Sequence, residues 1–329
     1  MSKPATPEEL TPRQKASADK RARLAKSLKA NMRRRKDRDA PPSTTVESVE
    51  NHLDRLLNRP VTDERIALAS DIYGGGAGPP LVILHGLLGA ARNWMAIAKR
   101  LGEDHEVHAL DLRNHGRSPW ADAMRYQDMA QDVAAYIESN GLTSPTVLGH
   151  SMGGKVAMSL ALTVPDIVGR LVVADISPVP YQREGRTSFL DYIDAMMALD
   201  LGPITRRSEA DTAMVDAIPD KAVRGFLLQN LVPDEANGGF YWRCNLPALS
   251  NRIADILDAP EPDSWAPYQG CTLFLKGARS DYVKDSHTAL IRSLFPRATF
   301  ESLADAGHWL HAEQPRPFMT AVRTFIAAA

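Results

Sequence analysis

Cysteine is scarce in this sequence, whose 329 residues include only Cys244 and Cys271. The two do not form a C-x-x-C pair, so the sequence offers neither a disulfide framework nor a cysteine zinc site. Long apolar runs are lacking as well, because no segment approaches the roughly 18 apolar residues that span a membrane. The N-terminal segment has no apolar stretch of the secretory type. We therefore expect a cytoplasmic protein without a transmembrane segment.

Net charge is close to zero, but basic residues are concentrated near the N-terminus. Residues 1–40 contain 13 Lys/Arg and 5 Asp/Glu, which leaves about nine net negative charges for the rest of the chain if the total is −1. A thin apolar stripe and a capping-box pattern predict that residues 1–60 form a basic helical extension. We expect it to be either a solvated or docking helix, or an arm that contacts an anionic surface or a partner.

From residue 81 onward, short apolar runs alternate with helical segments. Continuously apolar runs such as LVILHG (81–86) and PTVLGH (145–150) are typical of parallel strands that are buried on both faces. Between residues 177 and 268 the alternation stops, and that region is mostly helical with no strand-like apolar run. The sequence therefore predicts an α/β fold with a mostly parallel sheet and helices on both faces. Its core would comprise residues 61–176 and 269–329, and residues 177–268 would form a helical cap.

The segment LGHSMGGKVAM (148–158) places Ser151 between Gly149 and Gly153 at G-x-S-x-G spacing. It follows a predicted strand and opens a predicted helix, which is the context of a nucleophilic serine. The glycines permit the tight backbone of such a turn, and the helix N-terminus offers free N–H groups where an oxyanion would form. We predict that Ser151 is a nucleophile, because a glycine-serine turn without chemistry fits this context less well.

A second oxyanion donor is expected in the loop after an earlier strand. In HGLLG (85–89), His85 and Gly86 end a buried strand, so the N–H group of Leu87 or Leu88 can point toward the serine. His85 is expected to support this turn rather than to act in catalysis.

The general base is expected far downstream, in a loop after a late strand. Two histidines qualify in LADAGHWLHAEQP: His308 directly follows a predicted strand and a glycine, whereas His311 begins the next helix. We predict that His308 is the base and that His311 is a partly exposed helical residue. His115 and His150 lie near the site, but their motifs favour roles in a glycine-containing loop and at a strand end.

These residues carry a resemblance to a known superfamily. Four blocks in this order, HGLLG, DLRNHGRSP, GHSMGG and GHWLHAE, make residues 81–329 similar to the α/β-hydrolase superfamily. Two further segments, LVVADISPVPY and FYWRCNLPAL, resemble the abhydrolase-type small esterases that act on acyl esters and acyl-CoA thioesters. The resemblance implies a Ser-His-Asp hydrolase with a helical cap. In it, Ser151 would be the nucleophile, His308 the base, and the N–H groups of Leu87 and Met152 the oxyanion hole.

Two aspartates are candidates for the acid. In most members of the superfamily the acid follows the strand after the cap in a G-x-x-D pattern, but here Ser280 stands at that spacing and Asp281 comes one residue later. Asp175 closes the apolar run LVVA, and a right-handed crossover would place this strand beside the nucleophile strand. A carboxylate there is costly to bury unless it is paired, and His308 is a suitable partner. We favour Asp175, where the related esterases place their acid, and keep Asp281 as the alternative.

The pattern predicts a serine hydrolase that cleaves small-molecule carboxylic esters or acyl thioesters through an acyl-enzyme, without a metal or an organic cofactor. Epoxide hydrolases and haloalkane dehalogenases need an aspartate nucleophile, which Ser151 excludes. Carbon–carbon bond hydrolysis, aminopeptidase activity and cofactor-free haloperoxidase-like chemistry use the same triad and stay open, as does a non-catalytic binding protein. Six apolar residues are expected either in the cap core or on the pocket wall: Met196, Met197, Phe226, Leu227, Tyr241 and Trp242.

Overall fold

The computed structural model describes residues 65–181, 189–235, 238–260 and 266–328. The predicted N-terminal extension, residues 1–60, lies outside the described residues. The strands of the described chain are β1 (Ser70–Gly74), β2 (Gly78–Leu84), β3 (His105–Leu110), β4 (Thr146–His150), β5 (Arg170–Ala174), β6 (Leu231–Pro233), β7 (Phe240–Trp242), β8 (Cys271–Gly277) and β9 (Ala298–Leu303).

Helices alternate with these strands along the chain. They are α1 (Met95–Leu101), α2 (Tyr126–Ser139), α3 (Met152–Thr163), α4 (Phe189–Ala198), α5 (Arg207–Ala213), α6 (Lys221–Leu227), α7 (Leu246–Asn251), α8 (Ile253–Leu257), α9 (Thr288–Leu294), α10 (Leu310–Glu313) and α11 (Pro315–Ala327). Short 3₁₀ helices cover Ala91–Trp94, Pro165–Ile167, Leu228–Asn230 and Asp285–His287. No helix in the described ranges is both long and apolar enough to cross a membrane.

The main sheet has seven strands in the order β1-β3-β2-β4-β5-β8-β9. β1 pairs antiparallel with β3, and every other neighbouring pair in this sheet is parallel. The predicted mostly parallel sheet is therefore confirmed. Because β4, β5 and β8 lie side by side, the segments that follow them meet at the same edge of the sheet.

Residues of the inner strands of the main sheet pack into two separate apolar clusters, one on each face of the sheet. In β2, Val82 and Leu84 belong to one cluster, and Leu81 and Ile83 belong to the other. The first cluster includes residues of α2, α3 and α9, and the second includes residues of α1 and α11. A strand that is covered on both faces needs apolar residues at every position, which explains the continuously apolar runs of the sequence.

Between β5 and β8 the chain leaves the main sheet. The described part of this region contains helices α4 to α8 and an antiparallel ribbon formed by β6 and β7. The sequence predicted no strand here, so the ribbon corrects that expectation. Each of its strands has only three residues, which is too short for a recognisable apolar pattern.

Candidate active site

Ser151 lies in the turn between β4 and α3, at the carboxyl end of the sheet. Its backbone has φ 53° and ψ −119°, a strained conformation for a residue with a side chain. Two hydrogen bonds hold it: its N–H donates to the Ala174 carbonyl of β5 at 3.0 Å, and its carbonyl accepts from the Lys155 N–H at 3.1 Å. The turn lifts the hydroxyl off the end of β4, as expected of a nucleophilic serine.

Close backbone packing requires the two glycines that flank Ser151. A Cβ atom on Gly149 would collide with the carbonyl of Gly153, and a Cβ atom on Gly153 would collide with the carbonyls of Leu84 and His85. Backbone atoms cannot rotate away from such a clash as the end of a side chain can. The glycines therefore let α3 begin directly against the end of β2, which fixes the position of Ser151.

We expect Gly153→Ala to destabilise the protein by roughly 1–3 kcal/mol, because the added methyl group must displace the end of β2 or the start of α3. Gly225→Ala is a matched control, since this glycine lies inside α6 and a Cβ atom there meets nothing within 4 Å. Alanine at that position should stabilise the protein by about 0.5–1 kcal/mol. Urea unfolding measures both changes, and equal stability of the two variants would contradict the packing argument.

His308 lies in the loop between β9 and α10 and connects the other two predicted residues. The Ser151 hydroxyl donates to its Nε2 at 3.0 Å, and its Nδ1 donates to Asp175 Oδ2 at 2.7 Å. The ring of Tyr282 stacks on the imidazole with the ring centroids 4.1 Å apart. The structure therefore brings Ser151, His308 and Asp175 into one hydrogen-bonded chain, from hydroxyl to imidazole to carboxylate.

Asp175 is fully buried directly after β5 and accepts three hydrogen bonds at its carboxylate. Oδ1 accepts from the Gly277 N–H at 3.0 Å, and Oδ2 accepts from the Ser280 hydroxyl at 2.5 Å as well as from His308. Such charge-assisted bonds compensate for the burial of the charge. Ser280, at the position where most of the superfamily has its acid, is thus a hydrogen-bond donor to Asp175. Asp281, the alternative acid, is exposed.

The predicted oxyanion donors, Leu87 and Met152, both line the pocket beside Ser151. Met152 is the first residue of α3, where backbone N–H groups have no partner within the helix. Leu88, the other residue considered in this loop, donates its N–H to His115 Nε2 at 3.1 Å. Burial lowers the pKa of His115 to about 3, so the ring is neutral and accepts this bond at neutral pH. This geometry favours Leu87 over Leu88 as the second donor.

His85 supports the loop that contains Leu87. Its Nε2 accepts from the Leu112 N–H at 3.0 Å, and its Nδ1 donates to the Gly86 carbonyl at 2.8 Å. Gly86 packs against His150, because a Cβ atom on Gly86 would lie 3.1 Å from the imidazole ring of His150. Both residues hold the turn in place through structural contacts.

His311 is buried rather than partly exposed, which corrects the prediction from the sequence. Its ring stacks on Trp94 with the centroids 4.1 Å apart and the planes at 11°. It also lies edge to face against the rings of His150, at 4.7 Å between centroids, and Phe318, at 6.2 Å. His150 in turn donates from Nε2 to the backbone carbonyl of His308 at 2.8 Å. These aromatic contacts connect α10 to the predicted base, a role that the sequence did not indicate.

The buried histidines predict a loss of stability in acid. Burial lowers the pKa of His311 to about 3, whereas in the unfolded chain a histidine has a pKa of about 6.5. Between these values the unfolded state binds more protons, so the free energy of unfolding falls as the pH falls. We expect His311→Phe, which keeps a ring against Trp94, to reduce this slope by about 1.4 kcal/mol per pH unit between pH 4 and 6. Urea titrations across that range measure it, and an unchanged slope would mean that His311 protonates in the folded protein.

The pocket beside Ser151 opens to solvent, and the empty space within it and at its mouth amounts to about 370 Å³. Its lining includes Phe189, Ile256 and Leu257 from the region predicted to form the cap, and Tyr126 and Ile176 from the predicted core. None of the six cap residues considered from the sequence is in this lining. Met196 and Leu227 are buried in the apolar core, and Met197 and Tyr241 are exposed. The cap-core alternative therefore holds for Met196 and Leu227, and the pocket alternative holds for none of the six, because residues at the ends of α4 and α8 line the pocket instead.

Metal ligands do not cluster at this pocket or elsewhere in the described ranges, where no group of three or more His, Cys, Asp or Glu side chains could hold an ion.

Comparison with known proteins decides the family. The sequence model of the α/β hydrolase fold matches residues 79–315, which is more than half of the chain. The chain belongs to the α/β-hydrolase family. It is 41% identical over 271 residues to the Xenopus laevis protein named sn-1-specific diacylglycerol lipase ABHD11, covering 80% of this chain and 85% of that protein. It is 33% identical over 247 residues to esterase YbfF of Escherichia coli, covering 75% of this chain and 92% of that protein.

Among solved structures, this α/β-hydrolase is similar to one named marine microorganism esterase. The two superpose with a TM-score of 0.75 at 38% sequence identity, covering 79% of this chain and 99% of the other. The predicted fold is therefore confirmed, and so is the predicted class of enzyme, a carboxylic ester hydrolase.

Proposed function

We propose that this α/β-hydrolase cleaves its substrates through an acyl-enzyme on Ser151, with His308 as general base and Asp175 as the orienting acid. One observation carries the proposal: His308 is hydrogen-bonded to the Ser151 hydroxyl through one ring nitrogen and to Asp175 through the other. A serine hydroxyl is a weak nucleophile until a base accepts its proton, and these two contacts support His308 as that base.

In the proposed reaction, His308 takes the Ser151 proton as the hydroxyl oxygen attacks the carbonyl carbon. The N–H groups of Leu87 and Met152 stabilise the oxyanion of the tetrahedral intermediate. The imidazolium, stabilised by Asp175, then gives its proton to the leaving oxygen or sulfur, and the acyl group stays on the serine. Water, activated by the same histidine, hydrolyses the acyl-enzyme and releases the acid.

The proposed substrates are carboxylic esters or acyl thioesters with an acyl chain that fits the pocket. Its lining is mostly apolar and aromatic, which supports the binding of an acyl chain. The relatives named diacylglycerol lipases make a diacylglycerol one substrate to include in any series.

A chain-length series tests the proposal. We expect hydrolysis of p-nitrophenyl esters from acetate to octanoate, with an initial burst of about one p-nitrophenol per active site wherever deacylation is slow. Matched CoA thioesters and dioctanoylglycerol then rank the leaving groups by kcat/KM. Folded protein that cleaves none of these compounds would contradict the proposal and favour a non-catalytic binding role.

A further inference from the structure

Lys155 is a buried charged residue that the proposed mechanism does not use. It lies in α3 four residues after Ser151, and residues at this spacing share one face of a helix. Its side chain lines the same pocket as Ser151 and Met152, and only 1% of the residue is exposed. Lys155 and Ser151 therefore share one pocket, and a ligand held by the serine can reach the lysine.

The contacts of Lys155 solvate its ammonium group without neutralising it. Nζ donates to the backbone carbonyls of Asp258 and Leu257, the second at 3.4 Å. It also lies 4.8 Å from the ring centroid of Tyr181 and 5.4 Å from that of Tyr126. In the part of the chain that the structure describes, Nζ forms no ion pair with a carboxylate. An ammonium has three donors, and the two carbonyls use two of them.

Within the described lining of the pocket the ammonium has no counter-charge, and the carboxylate of Asp258, which favours its charged form, lies outside that lining. Lys155 is the one charged side chain among the described residues that line the pocket. The hydroxyls of Tyr126 and Tyr181 donate to the carbonyls of Ile256 and Tyr282, each at 2.5 Å. A cation that is buried without an anion is unfavourable, and an anionic group of a ligand in the pocket would remove that penalty.

We propose that Lys155 binds a carboxylate at the far end of the substrate acyl group, so that the preferred substrates are monoesters or monothioesters of dicarboxylic acids. This inference rests on the proposed function, since it names the acyl group that is transferred to Ser151. A lysine that served only to connect α3 to the end of α8 would need its hydrogen bonds but no anionic ligand. The two roles therefore differ in what substrate charge does to the rate.

Paired substrates of equal acyl length test the proposal in the wild-type enzyme. We expect kcat/KM for mono-p-nitrophenyl adipate to exceed that for p-nitrophenyl hexanoate at least tenfold at pH 6.

Burial lowers the pKa of Lys155 to about 7, while the carboxylate of Asp258 acts in the opposite direction. Burial raises the pKa of Tyr181 to about 12 and that of Tyr126 well above 10, so the two tyrosines facing Nζ stay neutral. The preference for the adipate ester should therefore fall as the pH rises above 7. Any other effect of pH on catalysis cancels in the ratio, because both esters are cleaved by the same residues.

Substitution of the lysine provides the second test. Lys155→Met should remove the preference for the adipate ester, so that the ratio of the two kcat/KM values falls to about one or below, because one partner of a buried charge pair is lost. Lys99→Met removes an exposed lysine of α1 and should leave the ratio at its wild-type value. A third ester, 3-carboxy-4-nitrophenyl hexanoate, carries its carboxylate on the leaving group. If the enzyme preferred this ester over p-nitrophenyl hexanoate, the proposal that Lys155 binds a carboxylate of the acyl group would be overturned.

The outcomes separate this inference from the proposed function. If the hexanoate ester is cleaved through Ser151 but the adipate ester is not preferred at any pH, the role of Lys155 is wrong and the proposed function stands. A preference that Lys155→Met leaves unchanged overturns it as well. If the methionine variant does not fold, the pH dependence of the wild-type ratio decides. If neither ester is cleaved, the proposed function is contradicted, and the inference about Lys155, which rests on it, is contradicted with it.

Discussion

Ser151→Ala should keep the fold and lower kcat for a p-nitrophenyl ester by roughly 10⁴- to 10⁶-fold, since members of a catalytic triad act as a unit. Ser151 is 7% exposed and its hydroxyl donates one hydrogen bond, to His308. The strained backbone at this position depends on bonds from the main chain, which alanine retains. The loss should therefore appear in turnover and not in the free energy of unfolding.

Ser159→Ala is the matched control for this variant. Ser159 lies in the same helix α3, is fully buried, and its Oγ has no hydrogen-bond partner in the described residues. Removal of this hydroxyl should leave kcat within about twofold of wild type, because the hydroxyl lies two helical turns from Ser151 and has no hydrogen-bond partner in the described part of the chain. If Ser151→Ala kept more than a few per cent of the activity while folded, another residue would be the nucleophile.

Asp175→Asn should lower kcat by about 10⁴, the penalty seen when the acid of such a triad becomes an amide. The carboxylate accepts three hydrogen bonds, from His308, Ser280 and Gly277. The single oxygen of the asparagine amide can accept only some of these three hydrogen bonds. If the amide nitrogen faced Nδ1 of His308, Nδ1 would have to accept a hydrogen bond, and the ring proton would move to Nε2. The base would then lack a free Nε2 lone pair for the Ser151 proton.

The companion variant Asp281→Asn should change kcat by no more than about tenfold, because Asp281 is exposed. Both variants are compared on one activated ester at one pH, with urea unfolding as a check on the fold. The opposite ranking would assign the acid to Asp281 and leave Asp175 with a structural role in the loop after β5.

Much of the site could be predicted because its chemistry depends on local backbone patterns. The glycines around Ser151 stand where a Cβ atom would meet the backbone, so their spacing encodes the turn. The contact between Ser151 and His308 joins residues 157 positions apart. It was predictable because both follow strands of one parallel sheet, whose carboxyl ends share an edge.

What could not be predicted depends on long-range packing. His311 is buried against Trp94, which lies on a distant helical turn, and no local pattern signals that contact. β1 is an edge strand whose residues are half-buried or exposed, so it lacks an apolar run. In the cap, periodicity identifies helices but not which of their ends face the site. The pocket residues contributed by this region were therefore missed, and so was the buried position of Lys155.

The most direct test of the proposed acyl-enzyme chemistry is to identify the residue that a serine-directed fluorophosphonate labels. The wild-type protein is treated with the reagent, digested and mapped by mass spectrometry, while ester hydrolysis is followed in the same sample. We predict one phosphonate per chain, on Ser151, with activity lost in proportion to labelling. Ser151→Ala should take up none, and Ser159→Ala should be labelled like wild type. Loss of activity with the adduct on any residue other than Ser151, or full labelling with activity retained, would contradict the account.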